Sequence, residues 1–183
     1  MAVNAFEKGS KEWMMFSDYW GLCRKFWTVR DSGGYWDAVI RETSAFCKKY
    51  PDGVFARKLA QALLARLDGR EGCPAGTSDM PGGGPGKGSE EWAVFADYWK
   101  LCREYWTPVG GDGYWGAAFA ATAGFCKKHQ GEPFARRLAF AFLAKLEEND
   151  KKKNQAERGT LQDGGQGTDP PPCRAITERG PYL

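Results

Sequence analysis

Apolar residues recur along the first part of the chain at spacings of three and four, which places them on one face of an α-helix. The first such run is Trp13, Phe16, Trp20, Cys23 and Trp27. Ser10 precedes this run as a favourable N-cap, and Glu12 lies in the first turn, where the helix dipole favours negative charge. Two further runs are Trp36, Val39, Ile40, Thr43, Phe46 and Cys47, and Phe55, Leu59, Ala62, Leu63 and Leu67. The pattern predicts three helices, near residues 10–28, 34–49 and 54–68.

The same pattern occurs again 79 positions later without a gap. Residues 9–68, placed over residues 88–147, are identical at 31 of 60 positions. The second copy predicts helices near 89–107, 113–129 and 133–148. Because no segment alternates with a period of two, no β-sheet is expected, and the predicted fold class is all-α. A gapless repeat indicates two copies of one autonomous fold, so we predict two tandem three-helix units.

Composition sets the boundaries of these units. The first three-helix unit is assigned to residues 9–68 and the second to residues 88–148. The segment 69–87 between them is rich in Gly and Pro, which is typical of a flexible linker. Residues 149–183 contain too few apolar side chains to build a core, so we predict a disordered C-terminal tail.

Aromatic residues make up 14% of the chain, and all eight tryptophans lie at matching positions of the two repeats. One aromatic side chain buries roughly 150–250 Å², which compensates for the small core of a unit this short. We therefore expect the tryptophans to be mostly buried. The repeated cysteines, Cys23, Cys47, Cys102 and Cys126, lie on the same apolar faces, where a free thiol behaves as a small hydrophobic group.

Five short motifs occur in both copies. They are W-x-x-F-x-D-Y-W, C-R-x-[FY]-W, G-Y-W, F-C-K-K and F-A-R-[RK]-L-A. This layout resembles small Trp/Tyr-rich helical proteins of unknown function from Gram-positive bacteria and their mobile elements. The resemblance covers both repeats but neither the linker nor the tail, and it implies no activity.

Cellular location and metal binding follow from what the sequence lacks. It has no apolar run of about 18 residues and no secretory signal, so we expect a cytoplasmic protein without a membrane partner. Cysteines are normally reduced there, although pairing of Cys23 with Cys47, and of Cys102 with Cys126, stays an alternative. Zinc sites combine closely spaced cysteines with further Cys or His. Because the repeated cysteines are 24 positions apart and His129 is the sole histidine, no metal site is expected.

Catalytic chemistry finds no support in the repeated residues. His129 is replaced by Tyr50 in the first copy, so no histidine is shared as a general base. Asp18 and Asp97 are shared, but a lone carboxylate beside aromatic residues more often bonds a nearby Tyr, Trp or Arg than it moves protons. The segment GGGPGKG lacks the Ser or Thr of a phosphate-binding loop. We expect no enzyme activity, no cofactor and no small-molecule substrate.

Basic residues support a possible nucleic-acid contact only in part. The net charge is +3, whereas nucleic-acid binders usually have a larger basic excess. Basic side chains shared by both copies are one candidate set for phosphate contacts. Positions 11, 18 and 25, however, read Lys, Asp, Lys in the first copy and Glu, Asp, Glu in the second. Because the charge at two of these positions reverses between the copies, this ridge is not a shared phosphate site. A nucleic-acid-associated accessory protein, which contacts phosphates through Lys/Arg present in both repeats, is therefore only the alternative functional prediction.

Partner binding through helical surfaces is the main functional prediction. Aromatic and Arg side chains concentrate binding energy at interfaces, and two linked copies gain avidity. We therefore predict a non-enzymatic adaptor or scaffold that binds an unknown protein. Phe140 stands where the first copy has the outward-facing Gln61, which makes it a candidate anchor. The candidate partner-binding residues are Phe140, Arg136, Arg137, Arg57, Lys58, Arg24 and Arg103.

Overall fold

The protein is all-helical, as the spacing of apolar residues predicts. The computed structural model describes residues 6–30, 33–51, 54–69, 86, 88–109 and 112–162. Within them the chain forms six α-helices and no β-strand. The first repeat contains α1 (Lys11–Phe26), α2 (Tyr35–Lys49) and α3 (Val54–Leu67), and the second contains α4 (Glu90–Tyr105), α5 (Asp112–Lys128) and α6 (Pro133–Gln162). Five of the six helices match the predicted bounds to within about two residues, which is the ordinary uncertainty of helix ends.

Both repeats begin their first helix in the same way. The Ser10 hydroxyl accepts a hydrogen bond from the Trp13 backbone N–H at 3.1 Å, and Ser89 accepts the equivalent bond from Trp92 at 3.1 Å. These bonds satisfy a backbone donor that has no partner within the helix. The glycine before each serine has a positive φ, which side-chain-bearing residues rarely adopt. The predicted N-caps are confirmed.

The last helix extends beyond the second repeat. Residues 149–162 continue α6, so the prediction of a disordered tail is wrong for this segment, and residues 163–183 lie outside the described part. Asn149 donates a hydrogen bond to the Trp106 carbonyl at 2.8 Å, and Lys152 pairs with Glu148 at 2.7 Å. A polar segment is helical here because it is attached to the end of α4 and carries a charged pair one turn apart.

The two repeats share one hydrophobic core. α3 packs against α6 more extensively than any other pair of described helices pack. Leu59 and Leu63 of α3 and Leu138 and Phe142 of α6 are fully buried. Independent folding of each repeat stays a prediction, and the shared core argues against it. The predicted linker falls mostly outside the described residues.

Aromatic contacts between the repeats come in reciprocal pairs, so an approximate two-fold axis relates the two halves. When a residue of the first repeat contacts a residue of the second, the two equivalent residues contact each other with the repeats exchanged. The pairs, with their centroid distances, are Trp27 with Phe134 (5.3 Å), Trp106 with Phe55 (5.1 Å), Tyr19 with Phe95 (5.7 Å) and Tyr98 with Phe16 (5.7 Å). The fold is therefore built like a symmetric dimer whose two subunits lie in one chain.

The predicted buried face of α3 is confirmed, whereas those of α1 and α2 differ in part from the predicted ones by one residue. On α1 the buried side chains are Met15, Phe16, Tyr19, Cys23 and Phe26, and on α2 they are Tyr35, Val39, Thr43 and Phe46. Trp27 and Trp106 are buried as expected, whereas most other tryptophans are half-buried. Trp36 was expected in the core but is 40% exposed. The prediction followed the tryptophans, while the core follows the neighbouring Tyr and Phe positions.

Candidate functional site: a cleft lined by four tryptophans

α1 and α4 face each other through aromatic side chains and leave a cleft between them. Trp20 contacts Trp92 at a centroid distance of 5.0 Å and Phe95 at 4.5 Å. The cleft has a volume of about 400 Å³, which falls in the range of ligand pockets. Its lining residues are Trp13, Phe16, Ser17, Trp20, Trp92, Phe95, Ala96, Trp99, Lys100 and Arg103. We call it the tryptophan cleft.

The helical repeat explains why these indoles meet. Trp13 and Trp20 lie seven residues apart, so both project from the same side of α1, and their counterparts do the same on α4. Each indole is half-buried, with one part against the core and another part in the cleft. The positions that sequence analysis assigned to a core therefore form the wall of a pocket between the repeats.

The two-fold symmetry is broken where the segment before α1 packs against α4. The ring of Phe6 lies against Trp99 at 4.9 Å and against Trp106 at 5.1 Å. Phe6 is only 7% exposed. Trp99 thus contacts Phe6, whereas its counterpart Trp20 contacts Trp92. The two ends of the cleft are consequently different.

Charge is also distributed unequally along the cleft. Lys100 and Arg103 of α4 line it. Their counterparts in the first repeat are Gly21, which has no side chain, and Arg24, which is exposed outside the cleft. Among the described residues that line the cleft, none carries a carboxylate. The cleft therefore suits an apolar group that is accompanied by a negative charge.

The shared carboxylates hold helices together and lie outside the tryptophan cleft. Asp18 accepts hydrogen bonds from Lys49 and from the Tyr50 hydroxyl, both at 2.6 Å. Partial burial raises the pKa of Asp18, but the bonds from Lys49 and Tyr50 outweigh it, and the net pKa is lowered. This pairing joins α1 to the C-terminal end of α2. A Tyr partner of Asp18 was expected, and Tyr50 is that partner. Arg24 was also expected, but Lys49 takes its place.

The second repeat repeats this arrangement with one substitution. Asp97 pairs with Lys128 at 2.7 Å and with His129 Nε2 at 2.8 Å. His129 thus takes the place that Tyr50 has in the first repeat. The pKa of Asp97 is likewise lowered, because the bonds from Lys128 and His129 outweigh the effect of burial. The histidine considered as a catalytic candidate therefore lies in a structural contact with Asp97.

Another pair of shared cations covers the tryptophans at the junction of the repeats. The Arg66 guanidinium lies 3.5 Å from the centroid of the Trp27 ring and donates a hydrogen bond to the Trp27 carbonyl at 3.0 Å. Its counterpart Lys145 lies farther away, 5.7 Å from the centroid of the Trp106 ring. Arg66 therefore packs directly on its tryptophan, whereas Lys145 is only near its own.

Only Arg103 of the predicted partner-binding residues lines the cleft. Phe140 is 62% exposed on α6, as predicted, and its role as an anchor stays a prediction. Arg24, Arg57 and Arg136 are exposed, while Lys58 and Arg137 are half-buried. Sequence analysis missed Lys100 and the tryptophan walls. The sequence signal for this site was that Lys100 stands where the first copy has Gly21, beside a row of tryptophans that both copies share.

The four described cysteines are free thiols. Cys23 and Cys102 are fully buried, as predicted, and burial raises the pKa of both thiols. Cys47 and Cys126 are only half-buried. No group of three His, Cys, Asp or Glu side chains that suits a metal ion occurs in the described ranges. Of the helices in this part of the chain, none has the length and apolar character needed to cross a membrane.

Comparisons with protein-family models, with curated proteins and with solved structures find no match to this chain. The resemblance to Trp/Tyr-rich helical proteins of Gram-positive bacteria stays a hypothesis. The functional argument therefore depends on the geometry of the cleft.

Proposed function

We propose that the chain is a non-enzymatic protein-interaction module, an adaptor or scaffold of the cytoplasm. The tryptophan cleft receives an apolar side chain of a partner protein, and Lys100 and Arg103 pair with an acidic residue next to that side chain. The observation that carries this proposal is an open cleft with four indole walls and two cations at its edge.

The physical reason is the concentration of binding energy on a few side chains. Tryptophan and arginine are enriched among the interface residues that contribute most, especially where a pocket excludes water. An indole wall offers a large contact area without polar groups that need partners. The two cations add orientation, because an acidic residue on one side of the anchor pairs with them and a basic residue is repelled.

In this proposal the two tandem three-helix units, joined by the linker 69–87, act as one body. The cleft is built from α1 of the first unit and α4 of the second, so neither unit forms it alone.

The nucleic-acid alternative has less support from the arrangement of cations. Lys49 and Lys128 pair with Asp18 and Asp97, and Arg66 covers Trp27. Both repeats carry a basic residue at these positions, Lys49 matching Lys128 and Arg66 matching Lys145. With them engaged inside the protein, fewer cations remain to neutralise phosphates, and phosphate neutralisation provides most non-specific affinity.

The experiment uses two arginines that occupy equivalent positions. Tagged full-length chain is recovered from cells with and without nuclease, and bound proteins are identified by mass spectrometry. Arg103→Glu reverses a charge at the cleft, while Arg24→Glu makes the same change outside it. We expect Arg103→Glu to reduce recovery of the partner at least about tenfold, since truncating an interface hot spot costs about 2 kcal/mol or more. Arg24→Glu should leave recovery unchanged.

Equal recovery with both variants contradicts the cleft as the binding surface. Phe140→Gln then decides whether the exposed side of α6 binds instead, because it installs the residue of the first repeat. Recovery that depends wholly on intact nucleic acid supports the alternative function and contradicts the proposal.

A further inference from the structure

Trp27 and Trp106 occupy equivalent positions of the two repeats, but different side chains surround them. At Trp27, the ring is covered by Arg66 at 3.5 Å, and the indole N–H donates a hydrogen bond to Glu91 at 3.4 Å. At Trp106, the position of Arg66 is taken by Lys145, which lies 5.7 Å from the ring centroid. A shorter and more distant side chain leaves room above the second tryptophan.

That room is a cavity of about 250 Å³, which we call the Trp106 cavity. Trp106, Phe55 and Met15 form an apolar floor, and Trp106 is 7% exposed. None of its lining residues lines the tryptophan cleft. The cavity lies between the first repeat and α6, and its volume is slightly below the usual range for drug-sized ligands. A molecule with one ring and one small substituent suits this size.

Three cationic side chains line the cavity. Lys145, Lys152 and Lys11 line it, and Asn149 adds an amide. Glu12 is the only carboxylate among the described lining residues, and its repulsion of an anion is opposed by three ammonium groups. With Glu148, which pairs with Lys145 and Lys152, two carboxylates stand against three ammonium groups, and the remaining positive charge favours an anion.

Lys145 is the residue that most needs a partner there. It is only 9% exposed, and a buried ammonium group is costly unless a negative charge lies close to it. Glu148 lies 3.4 Å from Lys145 but makes a closer pair, at 2.7 Å, with Lys152. A bound anion would supply Lys145 and Lys152 with a second negative charge.

We propose that the Trp106 cavity binds a small aromatic anion. Its ring lies on Trp106 and Phe55, and its anionic group pairs with Lys145 and Lys152. This site is independent of the partner-binding cleft. In the first repeat the guanidinium of Arg66 lies on the Trp27 ring, in the position that the ligand takes in the second repeat.

Benzoate is the probe, and binding to the full chain is measured by calorimetry and by the amide shifts of α6 in NMR spectra. We expect saturable binding with Kd near 1 mM, as for other ligands of this size. Benzyl alcohol, which has the ring without the charge, and inorganic phosphate, which has the charge without the ring, should each bind at least about tenfold more weakly. Equal binding of either compound overturns the proposal, as does a lack of saturation by about 20 mM benzoate.

Two variants connect the binding to the cavity. Lys145→Arg keeps the charge but installs the residue that covers Trp27 in the first repeat, so it should weaken benzoate binding about tenfold or more by filling the space. Lys152→Gln removes one ammonium group and should weaken binding about three- to fivefold. Lys151→Gln changes the adjacent lysine, which does not line the cavity, and should leave binding unchanged.

Thermal unfolding without benzoate checks that the variants are folded. Lys145→Arg should retain the melting temperature of the parent, because the equivalent residue already packs well in the first repeat. Unchanged benzoate affinity in a folded Lys145→Arg protein overturns the proposal.

Discussion

The first repeat stacks an arginine on its junction tryptophan, whereas the second holds a lysine farther from its own tryptophan and has a cavity beside it. The tryptophans themselves are equivalent, since Trp27 packs on Phe134 and Trp106 packs on Phe55 at nearly equal distances. The difference begins one layer outward, where Arg66 is replaced by Lys145. Rings shared by the repeats thus hold the two halves together, and side chains that differ make the surroundings of those rings unequal.

Separation of the halves is the strongest way to break this comparison. We expect fragments 1–69 and 88–162, expressed separately, to lose most of their helical circular dichroism or to self-associate. The reason is that buried rings such as Phe95 and Phe134 take their contacts from the other repeat. Mixing the two fragments should restore the helical signal and give a one-to-one complex.

Size-exclusion chromatography with light scattering distinguishes the outcomes. A single fragment that is monomeric, helical and as heat-stable as the full chain shows that each repeat folds independently. The shared core is then a docking contact between two finished units.

Reciprocal core substitutions test the symmetry itself. Phe55→Ala and Phe134→Ala each remove a ring that is almost completely buried against a tryptophan of the other repeat. Each should lower the free energy of unfolding by about 3–5 kcal/mol, and the two costs should agree within about 1 kcal/mol, a fraction of that range. Urea denaturation provides the measurement. If only one of the substitutions destabilises the protein, the two junctions are not equivalent.

Exchange of the outer cations should have a smaller and unequal effect. Arg66→Lys removes the stacked guanidinium and its bond to the Trp27 carbonyl, at a cost of about 1–2 kcal/mol. Lys145→Arg should change stability by less than about 0.5 kcal/mol, because it fills space without removing a required contact. If Lys145→Arg instead stabilises the protein by as much as Arg66→Lys destabilises it, the stability at both junctions depends on one property, the size of the cation. Thermal unfolding of each variant beside the parent decides between these results.

The ion pairs between α1 and α2, and between α4 and α5, should contribute least. Asp18→Asn and Asp97→Asn should each cost about 0.2–1 kcal/mol near pH 7, because the partner lysines are exposed to solvent. The folded-state pKa of both is lowered. Their contribution is therefore present above the unfolded pKa of about 3.9 and is lost as the pH falls through the lower folded value.

Urea denaturation at several pH values measures this loss. The difference in stability between parent and variant should be constant from about pH 5 to 7 and should narrow below about pH 4. A difference that persists after the carboxylates are protonated would show that the asparagine disturbs packing and that no ion pair was lost.

The helices were predictable from the sequence because their signals are local. The Ser10 and Ser89 caps and the spacing of apolar residues act within one or two turns, and the bounds of α1 to α5 follow from them. The end of α6 was not predictable in this way. Residues 149–162 carry few apolar groups, and their helix is supported by bonds such as that from Asn149 to the Trp106 carbonyl, 43 residues away.

The tryptophan cleft shows a second limit of sequence analysis. A stripe that faces another copy of the same unit has the same composition as a stripe that faces its own core, so Trp13 and Trp20 were both assigned to the core. Their partial exposure depends on how far α1 and α4 stand apart, and rings such as Trp20, Trp92 and Phe95 set that distance. Of the candidate residues, Arg103 was found from its presence in both repeats, but that feature did not distinguish it from Arg24.

Joining the two halves in one chain changes what a single substitution does. In a dimer of identical repeats, each replacement would appear at both junctions, and opening one of them would open the other as well. Dilution would also separate such subunits, whereas covalently joined halves meet at an effective concentration that dilution does not change. Arg66 can therefore stack on one junction tryptophan while Lys145 stays farther from its counterpart.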